Sequence, residues 1–296
     1  MPKKRLRLFS LLDGGDPIHV DFSESELVDQ LGGEKTSLLF MGHFEKKRTL
    51  KAFERFGILE RLRELGYLDI HLEFHARGPR EHFMRIYDTT DGEPALLGEV
   101  VLREGRYITH EQFVDGFKLP HLDVLAIEWI LMQHFKGVFP EGRSRLPGQQ
   151  HPGLGVGSRV QELLTWVATL LEKDALMNIP EYFHNAVFYD RWFKFIDPAA
   201  HGAMLAINEQ LAAQGYDLAA ISFAVYLDCL VDSHTGENYK WETSEMMLPQ
   251  TQEGRNYFAQ PDYSRQLDEA RASMSITIDR PRFERKMCEH DPNCEG

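Results

Sequence analysis

The stretch LPGQQHPGLGVGSRVQELL, Leu146 to Leu164, carries Gly153, Gly155 and Gly157 at spacing two and runs directly into an apolar helical pattern. Glycine has no Cβ to obstruct a turn, so backbone N–H groups in such a loop converge. The helix that follows adds its own unpaired N–H groups and the positive end of its dipole. Together they form a cradle for a phosphate. An ordinary glycine-rich turn before a helix has the same composition, so the flanking sequence must separate the two readings.

Upstream, LDVLAIEWILMQ (Leu122–Gln133) is a nearly continuous apolar run with Glu128 as the carboxylate in its interior. Its length and β-branching are compatible with a buried strand, and helix also remains open. Further back, Leu68, Ile70, Leu72 and Phe74 alternate with Asp69, His71, Glu73 and His75, which is the period of a strand. Phe83–Tyr87 reads as a second strand, Asp91-Gly92 as a turn, and Leu96–Leu102 as a third strand in which Gly98 marks a bulge. Leu50, Phe53 and Phe56, then Ile58, Leu59, Leu62 and Leu65, recur at helical spacing, with Gly57 between two helices and Gly66 as a stop. Before them, Arg5–Leu12 reads as a short strand, and Ser23 caps a helix carrying Leu27, Val28 and Leu31.

Downstream, Val160, Leu163, Leu164, Val167, Leu170 and Leu171 make a strong helical face. Ala175–Ile179 reads as a strand, His184–Trp192 as a short helix and Phe193–Ile196 as another strand. Residues 203–231 are helical in two pieces about Gly215, and Asn238–Leu248 is a last strand. The expected fold is α/β (α+β): a mixed, mostly antiparallel central sheet flanked by helices. It divides into an N-terminal extension (1–66), a core (67–200), helices and a strand completing the domain (201–250), and a polar, loose tail (251–296) with a weak helical stretch from Ser264.

Composition narrows the function classes. The 296 residues carry a net charge of −13, and the basic blocks are Lys3-Lys4-Arg5 and Lys46-Lys47-Arg48. A nucleic-acid partner wants a dense cationic face, so none is expected. An acidic surface tolerates an amine substrate. Three cysteines, Cys229, Cys288 and Cys294, form no disulfide framework. The apolar piece near the N-terminus is broken by Asp13 and Asp16 and lacks the core of a signal peptide. No apolar run reaches membrane-spanning length. The expectation is a cytoplasmic protein.

In order, the chain offers strands, an isolated Glu on an apolar strand, a glycine loop, a helix, a strand, and then HNAVFYDRWFKF (His184–Phe195). Over about residues 67–200 this resembles the GNAT superfamily of acyl-CoA-dependent N-acyltransferases. The family's loop reads Gln/Arg-x-x-Gly-x-Gly/Ala. Gln150-His-Pro-Gly153-Leu-Gly155 fits it; a second register, Pro152-Gly-Leu-Gly155-Val-Gly157, follows the helix start better but has proline at the first position. Asn185, Ala186, Tyr189 and Phe195 echo a downstream family pattern, with Ala and Tyr one residue closer than usual and Trp192-Phe193 in place of Gly-Phe. The linker Phe135–Pro147 is also longer than usual.

The resemblance implies a mixed sheet leading into a pyrophosphate-binding loop. Its cosubstrate would be acetyl-CoA or another acyl-CoA, and its acceptor a small-molecule or peptide amine. The cofactor contacts would come from Gln150 and from Gly153, Leu154, Gly155, Val156, Gly157 and Ser158, with Asn185 on the pantetheine arm. Glu128 would be the base that takes the amine proton, and Tyr189 the acid near the sulfur. Positioning dominates such chemistry, because the thioester carbon has only to meet a neutral nitrogen. Each residue also has a structural reading: Glu128 paired with an arginine on the sheet face, Tyr189 filling core beside Phe188 and Trp192, and Asn185 capping a helix that starts at Ala186. The departures motivate a second hypothesis, a CoA-binding or regulatory module without turnover.

A dinucleotide loop would read Gly-x-Gly-x-x-Gly early in a βαβ unit, and the spacing here does not fit it. His71, Glu73 and His75 share one strand face and are a third possibility, a metal-dependent enzyme; a solvated polar face has the same pattern. Cys288, His290 and Cys294 are too few for a zinc site.

Overall fold

The computed structural model describes residues 33–108, 112–141 and 144–290. The strand expected at Arg5–Leu12, the helix expected from Ser23, and Cys294 lie outside the described residues. The chain divides into two compact units, Met1–Thr109 with Pro120–Pro140 and His151–Asn178, and His110–Leu119 with Glu141–Gln150 and Ile179–Gly296.

The first unit opens with β1 (Lys35–Ser37), the hairpin β2 (Leu39–Phe40) and β3 (Phe44–Glu45), and the helices α1 (Lys46–Arg55) and α2 (Ile58–Glu64). Then come β4 (Ile70–Arg77), β5 (Glu81–Asp88), β6 (Ala95–Tyr107), β7 (Leu122–Met132), α3 (Gly157–Leu170) and β8 (Ala175–Asn178). Gly57, at φ +69°, turns the chain between α1 and α2 as its spacing predicts. The sheet runs β1-β4-β5-β6-β7-β8, with every pair antiparallel except β7 and β8. This is a mixed α/β architecture on a large, mostly antiparallel sheet.

The period-two pattern sorts the two faces. Phe74, Met84, Val100 and Ile130 stand opposite one another across four strands. Phe53 of α1 and Leu163, Leu164 and Val167 of α3 are buried around Met84. The other face carries a charged ladder. Arg85 Nε donates to Glu99 at 2.8 Å, and Arg103 donates to Glu81 at 3.2 Å and to Glu128 at 2.8 Å.

Two irregularities shape the sheet. Ile86 faces Gly98 while Tyr87 faces Leu96, which leaves Leu97 as an extra residue beside the glycine. A Cβ at Gly98 would stand 2.9 Å from Met132 Sδ and 3.0 Å from the Leu131 carbonyl, so the close approach of β7 requires glycine. Val101 faces Trp129 while Leu102 faces Ile127, which makes Glu128 the extra residue of a second bulge.

The second unit contains α4 (Phe183–Tyr189), β9 (Lys194–Phe195), α5 (Pro198–Ala213) and α6 (Leu218–Tyr226). After these come β10 (Leu230–Asp232), β11 (Asn238–Tyr239), β12 (Met246–Pro249), α7 (Gln252–Phe258), α8 (Pro261–Ser273), β13 (Ile276–Ile278) and α9 (Arg280–His290). Asp197 and Asp217 cap α5 and α6 by accepting from Ala199 N and Ala220 N, each at 2.8 Å.

Two expectations are corrected here. The single strand over Asn238–Leu248 is two: β11 pairs with β10, and β12 pairs with β9. The loose tail is folded through residue 290. Tyr257 and Tyr263 are buried, and their hydroxyls donate to the carbonyls of Ile196 at 2.8 Å and Phe195 at 2.6 Å. Gly202 of α5 lets α8 approach so closely that a Cβ there would stand 2.3 Å from the Leu267 carbonyl. A polar segment held by tyrosines and a glycine contact has no aliphatic stripe to announce it. Among the described residues no helix is long and apolar enough to cross a membrane.

Candidate functional site

The glycine loop lies at the C-terminal end of β7, where His134 N donates to the Pro152 carbonyl at 2.6 Å. Its residues alternate. Leu154 and Val156 are buried, at 2% and 1% exposure, while Gly153, Gly155, Gly157 and Ser158 face solvent. The apolar pair anchors the loop and the glycines leave the backbone accessible; Gly155 takes φ +72°, which favours glycine. Helix α3 begins at Gly157 with no side-chain cap. The first amide of this segment to be bonded is Val160 N, to the Val156 carbonyl, and among the described residues none of the amides from Gly153 to Arg159 has a hydrogen-bond partner. The helix starts at Gly157, where the second of the two expected loop registers, the one with Pro152 in the first position, would have it start.

A cation stands at the same place. Arg61 Nε on α2 donates to the Leu154 carbonyl at 3.2 Å, and the guanidinium lies 3.6–3.7 Å from where a Cβ on Gly155 would be. Its other arm reaches Glu64 at 2.8 Å. Arg159 bonds the Gly57 carbonyl, which ties the start of α3 to the turn preceding α2. Local spacing could not have found Arg61, because it lies 93 residues before its loop partner.

β7 and β8 pair in parallel only from Val124–Ala175 to Ile127–Asn178. β7 then continues to Met132 without β8 beside it. Asn178 closes the paired region at 2% exposure, and neither its Oδ1 nor its Nδ2 has a hydrogen-bond partner among the described residues. A buried amide left unsatisfied costs stability, so its retention calls for a reason. Parallel strands that part at their carboxyl ends, with a helix N-terminus beside them, are a recurrent place for a ligand in α/β sheets.

Glu128 is next to this opening, and its side chain is 5% exposed. Its partner Arg103 holds it in the ladder, as the structural reading of the sequence anticipates. The Arg103 guanidinium occupies the Oε1 of Glu128, which counts against a ready-made base. His134, also at the end of β7, lies 2.8 Å from the Tyr67 hydroxyl through Nδ1. Burial, with the charges of Arg61 and Lys136, pushes its pKa down, so it is a neutral imidazole beside the loop.

The other expected residues belong to the second unit. Gln150 is exposed there. Asn185 is inside the first turn of α4, whose N-cap is Tyr182, so the capping role expected of Asn185 is corrected. Tyr189 ends α4 against Phe193, with ring centroids 5.9 Å apart. Burial pushes its pKa up to about 12, so its hydroxyl is a hydrogen-bond donor and a poor proton donor to a thiolate. His184, unforeseen as a special residue, stacks on Tyr182 at 5.4 Å; its Nδ1 lacks a partner among the described residues and burial pushes its pKa down to about 4.

His71 and His75 share a face of β4, but each has its own carboxylate, Asp69 at 3.1 Å and Glu73 at 3.6 Å. Among the described residues no group of three side chains is arranged to hold a metal ion. In comparisons with known proteins, no family model, curated protein or solved structure matches the chain.

Proposed function

We propose that the protein is an acyl-CoA-dependent N-acyltransferase of the GNAT type, with its pyrophosphate cradle at Gly153–Arg159. One observation carries the reading: a run of unbonded amides at the mouth of a long helix, with the Arg61 guanidinium held beside Gly155. Such donors suit a diphosphate, and Arg61 makes up for the side chain that the loop lacks at Pro152. The bulge at Glu128 and the parting of β7 from β8 support it further, since they leave backbone at the strand edge for an extended ligand to meet. When bound, acyl-CoA supplies an activated acyl thioester.

The chain's own residues would then position and neutralise. The loop amides and Arg61 hold the diphosphate. Glu128 is the proton acceptor for the amine once its pair with Arg103 opens. Asn185 and Tyr189 carry no step of this reading. That same ion pair favours a second reading, a CoA-binding module without turnover.

Calorimetry with acetyl-CoA, using Gly155→Trp as control, tests the cradle. Binding by the wild type and its loss in a folded Gly155→Trp support it; no binding at millimolar acetyl-CoA ends it. An amine panel then separates the readings. Transfer, with kcat lowered about a hundredfold in Glu128→Gln at unchanged CoA affinity, supports catalysis. Binding without transfer supports the module.

A further inference from the structure

A cavity of the first unit lies apart from the glycine loop, between α1, α3 and the β2–β3 hairpin, with a volume of about 340 Å³. Phe40, Phe53, Met84, Leu164 and Val167 line it. Its charged wall is one-signed: Arg48, Lys51 and Arg55 contribute, and among the described residues no carboxylate does.

This local charge is unlike the chain as a whole, whose net charge is −13. Helix α1, KKRTLKAFER, has Lys46, Lys47, Arg48, Lys51 and Arg55 against the single acid Glu54. Glu54 is already bound to Arg63 through both oxygens, at 3.0 and 2.9 Å. Arg48 and Lys51 have no ion-pair partner among the described residues. Arg55 rests over the ring of Trp166 at 5.4 Å. The Thr49 hydroxyl donates to the Glu45 carbonyl at 3.1 Å, so the wall's polar groups are cations and one occupied hydroxyl.

We propose that this cavity binds a free single-chain amphiphile with an anionic head, of the class of medium-chain carboxylates. The apolar interior asks for a hydrocarbon body, and its volume is that of a small-molecule pocket. The three cations ask for a negative head at the mouth. A polyphosphate would leave the aromatic and aliphatic interior unfilled, and an alkylamine would meet three like charges.

Calorimetric titration of the full chain with decanoate, decanol and decyltrimethylammonium, each below its micelle concentration, tests this. Decanoate should bind at least about tenfold more tightly than decanol, and the ammonium not at all. Reversing the rim in Arg48→Glu/Lys51→Glu should weaken decanoate about tenfold and change decanol less than about twofold. Terminally brominated undecanoate should quench tryptophan fluorescence in the wild type, and Trp166→Phe should lose that quenching while retaining the ligand. Ala52→Trp should fill the cavity and abolish binding, with melting temperature as the check on folding. Equal binding of the three head groups overturns the proposal, as does decanoate binding unmoved by the rim reversals. Binding only to anionic vesicles, or only to an acidic amphipathic peptide, also overturns it.

Discussion

Arg61 Nε donates to the carbonyl of Leu154 at 3.2 Å across 93 residues of sequence, and this bond keeps a guanidinium beside Gly155. The cation belongs to α2 and the amides to the loop before α3, so neither local stretch makes the pair alone. Arg61→Ala should weaken binding of CoA about tenfold, the size of one charge-assisted contact. The loss should shrink as salt is raised, because the mouth is partly exposed. Titrations of wild type and variant at two ionic strengths check both effects. An affinity unchanged at low salt removes Arg61 from the cradle.

Asn178 offers a test that weighs ligand binding against stability. Its buried amide has no partner among the described residues. Asn178→Leu keeps the volume similar and removes the unsatisfied groups, so the free protein should gain about 1–2 kcal/mol in urea unfolding. The same change should weaken CoA if the amide is retained for a ligand at the opening beyond Ile127. Destabilisation by Asn178→Leu, with ligand binding intact, would show an ordinary structural residue.

The local periodicities of the first unit were legible in the sequence. Alternation at Leu72 and Phe74 placed β4, and Gly57 and Gly66 bounded α2, because each signal lies within a few residues of its effect. Glu128 was legible as an isolated carboxylate on an apolar strand. Its place as the extra residue of a bulge was not, because a bulge is defined by the partner strand. Arg61, Asn178 and the Arg103 pair depend likewise on what the fold brings together. The helices after Gln250 were legible only as a weak helical stretch from Ser264, for another reason: Tyr257, Tyr263 and Gly202 anchor them without a repeating stripe.

His184 links stability to pH. Burial pushes its pKa down to about 4, below the ordinary 6.5 that it regains on unfolding. Between those values the unfolded chain binds the proton and the folded chain does not, so stability rises with pH across that window. Acidification from pH 7 to pH 5 should cost the wild type about 2 kcal/mol from this residue alone. His184→Gln should flatten that slope in urea titrations at the two pH values. An unchanged slope would assign the acid sensitivity elsewhere, with His82, also lowered by burial, next in line.

Gly202 tests the docking of α8. Gly202→Ala would put a methyl 2.3 Å from the Leu267 carbonyl and 3.0 Å from the Ala270 methyl. The two helices must separate, and the expected loss is about 2–3 kcal/mol, read as a lower melting temperature. Tolerance of alanine would mean that the contact is looser than the packing here.

Leu154 and Val156 are seated in the interior while the glycines between them face water. On the proposed reading an arriving anion would meet donors that already stand in position, with little of the loop's motion to freeze around it. Recognition at such a surface is a matter of exchanging water for phosphate oxygens, with little of the large heat-capacity change that accompanies folding on contact. A bare pyrophosphate should accordingly associate about as fast as the whole nucleotide thioester, and differ from it in how soon it leaves.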